Sequence, residues 1–187
     1  TWIVHLDGTG LRPLYPEAEY EWVTHEAVIG KDEVAFAILG HRPIPGTGDA
    51  GEFASHPGME KEWGNCGTRE KPTGLGIVNI RTREMEIAGQ IPTGSGFWHV
   101  HGSPDGRFAC GDDFDRNLYL INRLTGEMML LSAGHKRTAD DHVHPTFSPD
   151  GTKIEIQSAM LSEDDQSLNI CVVYLPDEWL EEDEQAD

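Results

Sequence analysis

Lysine and arginine are scarce in this chain. There are 14 of them against 33 aspartates and glutamates, for a formal net charge of -19 at pH 7. Nucleic acids and anionic membranes are bound through clustered cations, so this balance argues against both as general partners. No apolar run approaches the length of a membrane span, and no charged–apolar–small leader opens the chain. Cysteines are few and odd in number, at Cys66, Cys110 and Cys171, without the paired spacing of a zinc site. Cys110 and Cys171 lie in apolar strand-like runs and are expected to be buried, whereas Cys66 lies in a Gly-rich loop. A reducing compartment is the simpler reading of such usage. Helical periodicity is missing as well. Methionine does not open the chain: Thr1 does, and Trp2-Ile3-Val4 reads as a strand already under way, so a truncated N-terminus is expected.

What the sequence does contain is repetition. Ser103-Pro104-Asp105-Gly106 returns 45 positions later as Ser148-Pro149-Asp150-Gly151, and Thr82-Arg83-Glu84-Met85 returns 43 positions later as Thr125-Gly126-Glu127-Met128. The two motifs alternate in order and agree in period. Each unit runs strand, Pro-Asp-Gly turn, strand, polar loop, strand, Thr-x-Glu turn, strand. In the middle unit the spacing predicts strands near 98–102, 107–111, 118–122 and 128–132. Four short antiparallel strands per repeat of this length are the pattern of a β-propeller blade. The fold class expected is therefore all-β, a β-propeller, with about three to four blades near 1–20, 21–92, 93–136 and 137–180. A Gly- and Pro-rich insert spans 40–74, and an acidic tail spans 181–187. An arc of so few blades leaves two sheet faces uncovered, so the chain reads as the C-terminal portion of a larger ring.

The nine histidines are placed in step with the repeat. Trp98-His99-Val100-His101 and Asp141-His142-Val143-His144-Pro145 each precede a Ser-Pro-Asp-Gly turn, and His25 stands at the same place in its own unit. In a propeller this is where the innermost strand begins, beside the central channel. The repeat therefore brings His25, His99, and His142 or His144 to one channel mouth. Alternation along a strand would put His99 with His101, and His142 with His144, on one face. Imidazoles with a nearby carboxylate suit Mn, Fe, Zn or Ni. His101 fits either a ligand or a neighbour that orients one. His5, His41, His56 and His135 have no such placement and are expected to pack or face solvent. The insert, which carries His41 and His56, should emerge on the histidine face and cap it.

These motifs resemble the oligogalacturonate lyase family over nearly the whole chain outside the insert and tail. Val23-Thr24-His25-Glu26 resembles the segment that carries the family's general base, which implies that role for His25. Phe97-Trp98-His99 resembles a metal-binding segment, and His142-Val143-His144-Pro145-Thr146-Phe147-Ser148-Pro149-Asp150 resembles the double-histidine metal motif. The resemblance thus implies His99, His142 and His144 as ligands. Leu175-Pro176-Asp177-Glu178-Trp179 resembles the family's closing segment. The family's fourth ligand, a glutamine, is replaced here by Ala139, with Asp140 and Asp141 as the carboxylates nearest to hand. Its catalytic arginine would fall before Thr1. The resemblance further implies a seven-bladed ring, bound Mn2+, a cytoplasmic location, and β-elimination of short oligogalacturonates in pectin breakdown. His101, Glu26 and Arg42 are the candidate substrate contacts. Two other classes compete: a non-catalytic propeller that binds a ligand on the same face, and a metallohydrolase on the same scaffold.

Overall fold

A computed structural model gives the architecture and describes residues 1–15, 21–41, 74–91, 96–136 and 142–181. Strands β1 (Trp2–Ile3) and β2 (Arg12–Pro13) form a two-stranded sheet around the Asp7-Gly8 turn. The next sheet is a four-stranded meander of β3 (Glu21–Ile29), β4 (Glu33–His41), β5 (Gly74–Asn79) and β6 (Met85–Gly89). A second four-stranded meander follows, with β7 (Phe97–Gly102), β8 (Phe108–Asp113), β9 (Leu118–Asn122) and β10 (Met128–Ser132). The last sheet has three strands, β11 (Thr146–Phe147), β12 (Lys153–Ser158) and β13 (Asn169–Tyr174). All pairings are antiparallel. No helix among the described residues is long and apolar enough to cross a membrane.

The sheets stack face to face, and the two-residue period of a strand decides which seam each side chain fills. Along β4, Ala35 and Ala37 join Ile29, Leu75 and Ile77 against Phe97, Val100 and Ala109 of the next sheet. The alternate residues Phe36 and Ile38 turn the other way, onto Leu14 and Tyr15. Along β8 and β9 the same alternation sends Phe108, Cys110, Leu118 and Leu120 toward Phe147, Ile154 and Ile156. Strands buried on both faces need apolar residues at every position, which is why they read as continuous runs.

The recurring turns close alike. Ser103 Oγ bonds Asp105, and the Phe108 amide donates to Ser103 Oγ at 2.8 Å. Ser148 and Asp150 repeat this, with the Lys153 amide on Ser148 Oγ at 3.0 Å. Gly106 and Gly151 hold φ of 80° and 70°, conformations a side chain would strain. At that end Arg123 straps two sheets together, donating to Glu33 at 2.8 Å, Glu86 at 2.9 Å and the Gly106 carbonyl.

The expected strands of the middle unit are found within a residue or two. Three readings need correction. A single helical turn, α1 (Asp177–Leu180), closes the described chain, held by Arg107 on the Trp179 and Leu180 carbonyls. Cys171 is half-buried rather than buried, because β13 is the last strand of its sheet. Residues 142–145 are not strand, so His142 and His144 do not alternate on a ladder. The insert 42–73, with Arg42, His56 and Cys66, lies outside the described residues, as do Ala139, Asp140, Asp141 and 182–187.

Candidate metal centre

Strands β3 and β7 lie side by side as the first strands of adjacent sheets, and each carries a bulge at the histidine. On β3, Thr24 pairs with Ala37 and Ala27 with Ala35, so His25 and Glu26 together oppose Phe36. On β7, Phe97 pairs with Asp113 and Val100 with Gly111, so Trp98 and His99 together oppose Asp112. A bulge kinks a strand and re-aims the extra side chain, and such kinks gather at functional rims. His25 has φ of 55° and His144 of 48°. Residues with a Cβ rarely hold such values, and the strain tends to persist where a site needs it.

Four imidazoles meet as a result. His99 is the hub: its ring centroid lies 4.5 Å from that of His25, 3.6 Å from that of His144 and 5.5 Å from that of His142. Trp98 flanks them, 5.2 Å from His25 and 5.4 Å from His142, onto which it stacks, with Phe114 behind it at 4.7 Å. A hollow of about 230 Å³ opens over the cluster, lined by His25, Glu26, His99, His101, His144 and Thr146. A larger hollow of about 560 Å³ lies beneath β1 and β2, against Ile3, Val34 and Ile80, away from the cluster.

Sequence reasoning missed Asp112. It is fully buried, accepts from the His99 backbone N–H at 2.7 Å, and lies 3.1 Å from His99 Nδ1 and 3.3 Å from His142 Nδ1. Donor atoms of His99, Asp112 and His142 all fall within 4.8 Å of one another. Burial pushes the Asp112 carboxyl up, but hydrogen bonding from His142 and His99 outweighs it and holds the group down at about 2. The signal available in the sequence was the acid pair Asp112-Asp113 ending an otherwise apolar strand. Asp113 points the other way, to the Asn117 amide at 2.8 Å and the Tyr119 hydroxyl at 3.2 Å.

The remaining candidates fall at the edge. His101 lines the hollow, but its Nδ1 is engaged by backbone, 3.0 Å from the Gly102 carbonyl and 3.3 Å from the Phe147 N–H. Glu26 is exposed beside His25 and accepts from the Thr1 hydroxyl. His135, expected to pack or face solvent, is buried between the Ser132 and Ser158 hydroxyls at 3.0 and 2.8 Å. His25 is pulled below 6.5, first by burial and then by repulsion from His99. Its Nδ1 is buried with no hydrogen-bond partner among the described residues. Converging imidazoles beside a buried carboxylate are an arrangement that fits a divalent transition metal.

Stacked antiparallel meanders whose first strands converge on one histidine-lined mouth define a β-propeller. The comparisons with known proteins agree on this fold. An oligogalacturonate lyase in complex with manganese aligns over 96% of this chain and 42% of its own, with a TM-score of 0.64 and 19% identity. An oligogalacturonate lyase from Vibrio parahaemolyticus aligns over 95% of this chain and 42% of its own, with a TM-score of 0.61 and 20% identity. The tricorn protease aligns over 88% of this chain and 13% of its own, with a TM-score of 0.52 and 16% identity. The chain thus spans less than half the length of either lyase, and at such identities the likeness speaks for the fold. No protein-family model and no curated protein matches the sequence.

Proposed function

We propose that this chain carries the metal and base histidines of a lyase that splits short oligogalacturonates by β-elimination, leaving an unsaturated uronate end. The observation that carries the reading is the contact of His99 with His25, His142 and His144 at one end of three sheets. The solved lyases of similar fold, one of them holding manganese, point the same way. In this reading the sheets are blades bounded near residues 20, 92 and 136.

His99, His142 and His144 would hold the ion, with manganese the first choice and Asp140 or Asp141 the candidates for a further ligand. A divalent cation there supplies charge that offsets the substrate carboxylate and makes the proton α to it easier to remove. His25 does the proton transfer. Its lowered pKa leaves the ring neutral near pH 7, which a general base requires. With Nδ1 buried, Nε2 is the nitrogen that receives the proton. The C–H electron pair becomes the new double bond, the bond from the β-carbon to the glycosidic oxygen breaks, and that oxygen leaves with a proton taken up from solvent. Glu26 and His101 border the hollow where the sugar would lie, and Arg42 joins them as a sequence-based candidate. The cluster works in a cytoplasmic, reducing setting in this reading.

The test is ultraviolet absorbance of the conjugated product when the full-length gene product meets di- and trigalacturonate. Absorbance that a chelator abolishes and manganese restores supports the proposal. Cleavage without new absorbance makes the protein a hydrolase, and ligand binding without cleavage makes it a binding module; either result overturns the lyase reading.

A further inference from the structure

We propose that Asp112 is the positioning residue of the histidine cluster, holding His99 and His142 with their ring protons on Nδ1 so that each ring is left with a bare Nε2 lone pair. The proposal rests on reading the cluster as a metal centre, and its own content is a pair of tautomers in the metal-free chain.

Asp112 sits on β8 directly opposite the Trp98–His99 bulge, and no part of it reaches solvent. Oδ1 accepts from the His99 backbone N–H at 2.7 Å and stands 3.1 Å from His99 Nδ1. Oδ2 accepts from the Val143 backbone N–H at 3.2 Å and stands 3.2 Å from His99 Nδ1 and 3.3 Å from His142 Nδ1. A carboxylate offers about four acceptor positions; two backbone N–H groups and the His99 ring N–H take three of them, and His142 Nδ1 faces the remaining one at an ion-pair distance of 3.3 Å. Asp112 therefore has little acceptor capacity left for an ion, although its oxygens lie within 4.8 Å of the histidine donors. It can do something else. A carboxylate accepts only, so the ring nitrogen facing it must carry the proton, and in a neutral imidazole the other nitrogen is then a bare lone pair. Histidines that bind metals ordinarily give their second N–H to such a partner. Here one carboxylate serves two rings, one from a strand and one from the segment before β11. Asp113 cannot substitute, since it faces Asn117 and Tyr119.

The decisive measurement is the imidazole nitrogen spectrum of the metal-free protein by NMR. Wild type should show Nδ1–H tautomers at His99 and His142. In Asp112→Asn the amide offers one oxygen and one NH2, so at least one of the two rings must turn over to Nε2–H. Affinity for Co(II), read against a chromophoric chelator, should fall about 10- to 100-fold. Asp113→Asn should leave both tautomers as they are. Nε2–H at both histidines in wild type overturns the proposal, as do unchanged tautomers and affinity in Asp112→Asn. If that variant does not fold, the wild-type spectrum decides alone. A protein that shows the Asp112-dependent tautomers but turns over no uronate loses the lyase reading and keeps this one.

Discussion

The rings of His25 and His99 stand 4.5 Å apart, each mounted on the bulge of the first strand of its own sheet. The repeat has placed two like residues at equivalent positions, and the proposed chemistry divides them. His25→Ala should reduce turnover about 10²- to 10⁴-fold, the usual contribution of a general base, while bound manganese stays at the wild-type stoichiometry. His99→Ala should lose both metal and turnover. Metal analysis alongside a product assay separates the two, and a fully active His25→Ala protein ends the base assignment.

Gly102 on β7 faces Ile29 on β3 so closely that a Cβ there would overlap the isoleucine side chain. Overpacking of this kind typically costs about 1–3 kcal/mol. Gly102→Ala should therefore lower the unfolding free energy by roughly that amount, and Ile29→Val in the same chain should recover part of it. Additive losses in the double variant would refute the close approach.

His25 and His144 hold positive φ, a conformation that asparagine tolerates better than histidine. His25→Asn should raise stability by about 1 kcal/mol, partly because it removes the unsatisfied Nδ1, and should abolish turnover. Calorimetry and activity would thus move in opposite directions. A drop in melting temperature counts against stored strain at this position.

Acid should unfold the metal-free protein in two stages. Burial first, and then repulsion from His99, pull His25 below 6.5, and burial does the same to His101 and His135. Just below 6.5 the unfolded chain binds protons that the folded chain refuses, so stability falls as pH drops toward the folded values. Asp112 acts lower. Its folded value of about 2 lies below the ordinary 3.8, so its contribution is intact above 3.8 and disappears as pH falls toward 2. Urea midpoints taken from pH 8 to pH 3 should show the first decline beginning near 6.5. A flat profile between 7 and 5 would contradict the burial of these rings.

Much of this was legible because it is local. The Ser-Pro-Asp-Gly turns hold themselves together with their own side chains, so their spacing gave the strand order, and the histidines ahead of them marked the site. Asp112 was not legible, since its role comes from which residues of β7 it opposes, and that is decided by a bulge in a pairing between two strands. The alternation expected of His142 and His144 failed for a related reason. His144 adopts a left-handed conformation before Pro145, outside any ladder. One helical turn at Asp177–Leu180 is too short to leave a period.

Each sheet lends the cluster a part: His25 comes from one meander, His99 and Asp112 from the next, and His142 and His144 from the segment leading into the last. The proposed ligand set joins His99 of one sheet to the pair His142 and His144 leading into another. In the proposed centre the gap between sheets and the bite of the chelate are thus one and the same coordinate, and breathing between the sheets would register as looser coordination before any strand melts.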